Sequence, residues 1–244
     1  RRIKQYMDFT SMGSGPIASA DVLANGTLPK GAATGATGDE NVLLFNNGEQ
    51  LYHHVLGTQT LITPNIVAAG LDISQDLTND DGMELCGAPS TGTGIQFTVG
   101  TDAAFYFSCA ITCTDVSGTD DFAIGFRKVE AFQAALDNYD EMAAFNLNGS
   151  GTTTKVIQLE TILNGATTVT TATGDTWADT ASKTLKVMVS AAGVVTFTID
   201  GSAPTTTAAF TFDDAEVVTP FVHLLHASDV AEATIITAWD VGFQ

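Results

Sequence analysis

Basic residues are scarce in this chain. Nine lysines and arginines stand against 28 aspartates and glutamates, a formal net charge of -19. A surface so acidic cannot neutralise a phosphate backbone, and it is repelled by anionic lipid headgroups, which excludes nucleic acid and membrane as partners. Charged residues of both signs make up only 15% of the sequence, too few for the solvated faces of amphipathic helices. No apolar run approaches the ~20 residues of a membrane-spanning helix, and the opening does not read as a signal peptide.

Cysteine is equally sparse. Cys109 and Cys113 fall on one predicted strand, and four residues at roughly 3.3 Å each set them about 13 Å apart, beyond disulfide reach. Only Cys86 could pair with either, so one thiol is always left over. Three such residues read as small apolar side chains in reducing surroundings. The CxxC spacing of a structural zinc site, the GxSxG turn of a serine hydrolase and a glycine-rich phosphate loop are all missing. No cofactor is expected.

What the sequence has is a 44% hydrophobic content set out in short alternating runs. In 183–201, KTLKVMVSAAGVVTFTIDG, Leu185, Val187 and Val189 share one face of an extended chain. An Ala-Ala-Gly turn follows, and Val195, Phe197 and Ile199 resume the rhythm, which is the pattern of a hairpin around which the rest would be organised. The run 104–114 places Phe105, Phe107, Cys109, Ile111 and Cys113 on one face. Phe122, Ile124 and Phe126 do the same in 120–127. Further strands are predicted at 94–99, 142–147, 156–163 and in the late segments AAFTF, VVTPFVHLLHAS and ATIITAWDVGF. Asn47-Gly48 between apolar runs reads as a hairpin turn within 41–55. The only helical spacing is Val129, Phe132, Leu136 and Tyr139, one short helix at most.

About a dozen short strands at regular spacing indicate an all-β fold, an antiparallel β-sandwich or jelly roll. Residues 1–45, rich in Gly, Ala, Ser and Thr, read as an extended N-terminal arm that lies on a partner, lies on its own sheet or moves freely. Residues 46–244 form the domain, best patterned over 83–244. Two smaller β-domains split near 90–94 are the alternative.

Candidate sites are few. Arg1, Arg2 and Lys4 form a cationic arm suited to an acidic neighbour, and Arg127-Lys128 is a paired basic site able to anchor a partner's carboxylate. Trp177, Tyr139 and Tyr106 could stack on a sugar, although strand aromatics are more often core. Asp137, Asn138, Asp140 and Glu141 offer oxygen ligands to calcium but lack EF-hand spacing, so a solvated loop is expected. His53 and His54 point to opposite faces of one strand, as do His223 and His226, so neither pair grips an ion.

The order of features over 83–244 resembles the concanavalin A-like lectin/glucanase jelly roll, the group that includes laminin-G-like modules. Its carriers are KTLKVMVSAAGVVTFTIDG ending in Asp200-Gly201, the AAFTF run, the Pro-Phe run TPFVHLL and a last strand closing on Trp239 to Phe243. Glucanases of that group carry a Glu-x-Asp-x-x-Glu motif. It is absent here, Glu130, Glu141 and Glu160 stand isolated, and no enzyme is expected. The low charge, Thr and Gly turns and leading arm also look like structural proteins of tailed bacteriophages, capsid decoration or cement proteins in particular. That resemblance implies a virion structural protein on the capsid exterior, made in the host cytoplasm. Its partner would be the major capsid protein, and it would act as a homo-oligomer, a trimer being favoured. A carbohydrate-binding lectin-like module for host attachment is the alternative.

Overall fold

The structure is a computed structural model and describes residues 4–10, 41–44, 50–57, 65–73, 79–90, 94–148, 152–227 and 233–244. Among them are sixteen strands. They are β1 (Lys4–Asp8), β2 (Asn41–Leu44), β3 (Gln50–Leu56), β4 (Asn65–Val67), β5 (Gly70–Asp72), β6 (Gly82–Cys86), β7 (Phe97–Thr98) and β8 (Phe105–Cys113), followed by β9 (Thr119–Lys128), β10 (Met142–Asn148), β11 (Thr154–Ile162), β12 (Val169–Ala178), β13 (Ser182–Val189), β14 (Val195–Ile199), β15 (Val217–His226) and β16 (Thr234–Phe243). Seven form one sheet, in the order β14-β13-β8-β16-β5-β4 with β1 also on β16. Nine form the other, in the order β12-β11-β10-β9-β15-β6-β3-β2 with β7 also on β15. The strand pairs are antiparallel, and strands from before residue 90 and after residue 94 share both sheets.

Alternation in the sequence becomes alternation in burial. In β8 every odd residue from Phe105 to Cys113 is buried and every even one half-exposed, as period-two side chains require when one face meets a second sheet. The inward residues of both sheets meet in one core. At its centre Phe97 stacks on Phe105 at 4.4 Å, and Phe126 meets Phe105 edge-on at 5.2 Å. Trp239 packs on Phe107 at 4.3 Å. Offset and edge contacts of this kind favour the ring quadrupoles and add to the burial of each aromatic.

The 183–201 hairpin forms as expected, Val189 opposite Val195, with Gly193 at φ +83° in the turn. Its place differs from expectation. β14 is the rim of its sheet, and β8 and β16 hold the middle. AAFTF is not a strand. It makes a single bridge, Thr211 to Val194, with the Phe210 carbonyl accepting from Val195 N at 3.0 Å. The segment thereby covers a free edge that would otherwise invite pairing with another chain. The 94–99 run keeps only Phe97–Thr98 as strand.

β15 carries Pro220 in the interior of the larger sheet, where a proline is normally excluded. The residues ahead of it, Val217 and Val218, pair with β7, and Phe221 onward pairs with β6. Pro220 sits between these partners. Its carbonyl accepts from Gly87 N at 2.9 Å, and because N–H and C=O of a residue point to the same side of an antiparallel strand, its missing N–H falls at the gap.

Residues 129–139 do not form the expected helix. Only Leu136–Asn138 make a 3-10 turn. The apolar residues of this stretch are drawn onto the outer face of the nine-stranded sheet instead, where Leu136 and Tyr139 are buried beside Met142 and Phe221. Of the arm, residues 4–10 lie on the chain's own sheet: β1 pairs with β16, and Met7 and Phe9 are in the core. Arg1, Arg2 and residues 11–40 lie outside the described residues.

Candidate functional site

The outer face of the nine-stranded sheet collects the polar side chains. Because Met83 and Leu85, Val222 and Leu224, Phe122 and Ile124, Phe145 and Leu147, and Ile157 and Leu159 point into the core, the residues between them point out. Strand register then lays a row across the sheet: His54, Glu84, His223, Ala123, Asn146, Gln158 and Ala172 stand opposite one another in turn.

One half of this row is covered. The 129–141 segment crosses it, with Phe132 stacked flat on His54 at 4.6 Å and the Tyr139 hydroxyl donating to Glu84 Oε2 at 2.7 Å. Arg127 donates through Nε and NH2 to Glu84 Oε1 at 2.9 and 2.6 Å, and its guanidinium lies 4.7 Å from the Tyr139 ring centre. Burial pushes the Glu84 carboxyl up, but the Arg127 guanidinium outweighs it and holds the group at about 2. Burial lowers His54 to about 4, leaving a neutral imidazole at neutral pH. Gly125 allows the sheet to close here, since a Cβ on it would stand 2.3 Å from the Ala143 carbonyl oxygen.

The other half is open. Asn146 is buried, and its Nδ2 donates to Asp121 Oδ1 at 3.0 Å and to Glu160 Oε2 at 2.9 Å. One amide therefore holds two carboxylates facing each other from β9 and β11. Above Glu160 lies a depression of about 440 Å³ lined by Asp137, Asn148, Thr170 and the 165–168 turn. The Thr168 hydroxyl donates to Asp137, which ties the turn to the rim. Burial raises the Glu160 carboxyl above the ordinary range. Carboxylates, amides and threonine hydroxyls at fixed positions form a surface for hydrogen-bonding hydroxyl groups.

Several expected site residues are placed elsewhere. Arg127 cannot reach a partner because it is buried and spent on Glu84. Lys128 bridges Asp140 at 2.7 Å and Glu216 at 3.0 Å. Trp177 is core, its indole N–H donating to the Ala181 carbonyl oxygen, and Tyr139 is buried under its own segment, so neither presents a ring to a sugar. Tyr106 donates to Asp240 on the seven-stranded sheet, away from this face. Lys4 is exposed on β1. Glu160 is not isolated: Asp121 comes from a non-adjacent strand, and no spacing along the chain announces it. Asp137, Asp140 and Glu141 do not converge. Among the described residues the one group of three metal-type donors is His54, Glu84 and Cys86.

No family model matches the sequence, and no curated protein does. Solved structures do match. The carbohydrate recognition domain of Emp46p, in a tyrosine-to-phenylalanine variant, aligns at TM-score 0.52 with 7% identity over 76% of this chain and 86% of that one. Its potassium-bound form gives 0.51 at 8% identity over 73% and 84%. The CBM2 module of the evolved Dit of Lactobacillus casei BL23 phage J-1 spans 100% of this chain and 97% of its own at 10% identity, with a TM-score of 0.46. The chain shares the antiparallel β-sandwich fold of the Emp46p domain.

Proposed function

We propose that this chain is a non-enzymatic carbohydrate-binding module that takes its glycan in the open half of the outer face. The observation that carries this reading is the depression lined by Glu160, Asp137, Asn148, Thr167, Thr168 and Thr170, with Glu160 fixed by the buried Asn146 amide, which also holds Asp121. Carboxylates accept hydrogen bonds from sugar hydroxyls, and acceptors already held by a buried amide bind without losing side-chain freedom. The Emp46p domain, of the same fold, is a carbohydrate recognition domain, which supports the reading. Binding is favoured over cleavage because Asp121 and Glu160 each commit an oxygen to Asn146. A general acid must instead reach a glycosidic oxygen.

The test is retention on a glycan array by the full chain, with Glu160→Gln and Asn146→Ala alongside. Saturable retention of wild type, reduced tenfold or more in both variants, is expected. Silence across the array, or retention indifferent to both changes, would end the reading.

A second reading, a virion structural protein on a capsid shell, is favoured by the exposed Lys4 and the 53% exposed Tyr6 on β1. They lie on the other sheet, next in sequence to Arg1 and Arg2, and leave the glycan face free. An oligomer docked on an acidic shell protein by this edge would display the groove outward. Co-sedimentation with undecorated shells at a fixed ratio supports it, and failure to sediment with them counts against it.

A further inference from the structure

The covered half of the outer face holds imidazole nitrogens that the hydrogen-bond network leaves unused. His54 is 4% exposed, and neither of its ring nitrogens has a hydrogen-bond partner. An unpaired polar group in the interior is destabilising, so it calls for an explanation. Across the strand pair His54 stands opposite Glu84, and Cys86 follows Glu84 by two residues on the same face. One donor atom from each of the three lies within 4.8 Å of the other two, and all three side chains are buried. His223, opposite Glu84 on the other side, brings Nδ1 to 3.4 Å from Glu84 Oε2 and has no partner on Nε2.

We propose that His54, Glu84 and Cys86 form a binding site for one thiophilic divalent cation of the zinc class. A thiolate, an imidazole and a carboxylate are the donor set zinc takes, whereas calcium and magnesium require oxygen donors throughout. The three donors are already gathered, and a metal–ligand sphere of about 2.0–2.3 Å needs them only slightly closer. On binding, the Cys86 S–H bond breaks, its proton leaves to solvent, and the thiolate pair bonds to the metal. The His54 ring nitrogen donates its lone pair without losing a proton. Arg127 and the Tyr139 hydroxyl, both hydrogen-bonded to Glu84, orient the carboxylate as outer partners do in metal sites. The Arg127 charge opposes the cation and the new thiolate offsets it. The 129–141 segment, through Phe132 on His54, keeps water from the site. The role is structural: the metal would pin β3 to β6 beneath that segment.

The probes are Zn²⁺ and Co²⁺ added to the full chain. One equivalent of Zn²⁺ surviving gel filtration is expected, with a melting temperature that rises with Zn²⁺ and falls back with a chelator. Co²⁺ is expected to give a thiolate-to-metal charge-transfer absorption, lost in Cys86→Ser, and Zn²⁺ affinity is expected to fall at least tenfold in Cys86→Ser and His54→Ala. Absence of retained metal, or of the charge-transfer absorption in wild type, overturns the proposal without reference to any variant. Equal Zn²⁺ retention by wild type and both folded variants overturns it as well.

Discussion

Arg127 and Glu84 face each other inside the protein, two guanidinium nitrogens on one carboxylate oxygen, with neither side chain open to solvent. The pair joins β9 to β6, and the other carboxylate oxygen takes the Tyr139 hydroxyl, so a single carboxylate ties two strands to the segment that covers them. Removing one partner leaves a bare buried charge. Glu84→Gln or Arg127→Met alone is therefore expected to cost roughly 3–5 kcal/mol in chemical denaturation. The double change Glu84→Leu with Arg127→Met recovers part of that loss, because two apolar residues need no mutual charge, while the buried Tyr139 hydroxyl is left without its carboxylate acceptor.

Tyr139 and Trp177 are expected to matter for stability and not for sugar. Tyr139→Phe removes one hydrogen bond to a charged acceptor and costs about 1.5–3 kcal/mol. Trp177→Ala opens a cavity in the core and costs about 3–5 kcal/mol. Glycan affinity of either folded variant stays within twofold of wild type, as a binding titration below the melting transition would show.

Glu141 sets the pH dependence. Its buried carboxyl is raised to about 7 by desolvation, with Glu216 and Asp213 adding to it, and its Oε2 accepts a long contact from Asp213 N at 3.4 Å. A raised carboxyl means that the folded state holds the proton more tightly than the unfolded chain. Its contribution is complete below the ordinary range near 4.5 and is lost as pH rises through about 7. At about 1.4 kcal/mol per unit, on the order of 3 kcal/mol should disappear across that window. Glu141→Gln flattens this part of the stability–pH curve; a curve unchanged by the substitution would refute the assignment.

Residues 4–10 are expected to be part of the folded unit. Deleting residues 1–10 strips β1 from β16 and uncovers Met7 and Phe9. Phe9→Ala alone is expected to cost about 3–5 kcal/mol, read as a lowered denaturation midpoint. A truncated chain as stable as the full one would show that β1 is dispensable.

Much of the sheet framework was legible because period-two burial writes itself into the sequence: the odd residues of β8 and Phe122, Ile124 and Phe126 of β9 all face inward as their spacing implies. Residues 129–139 misled because helical spacing and a chain laid across a sheet both bury residues three or four apart, and here tertiary packing of Leu136 and Tyr139 decides. The site was hidden for a different reason. His54, Glu84 and His223 come from strands far apart in sequence, Asp121, Asn146 and Glu160 from three successive strands, and each set meets only through register. The one sign in the sequence was the presence of ionisable or amide residues at outward positions of otherwise apolar strands.

Amide chemical-shift mapping with an array-selected oligosaccharide decides whether the open half of the nine-stranded sheet's outer face binds glycan. Saturable shifts confined to Asp137, residues 146–148, residues 158–160 and residues 165–170, abolished by Glu160→Gln, are expected. Shifts centred on the seven-stranded sheet around Tyr6 and Tyr106, with the groove silent, would contradict it.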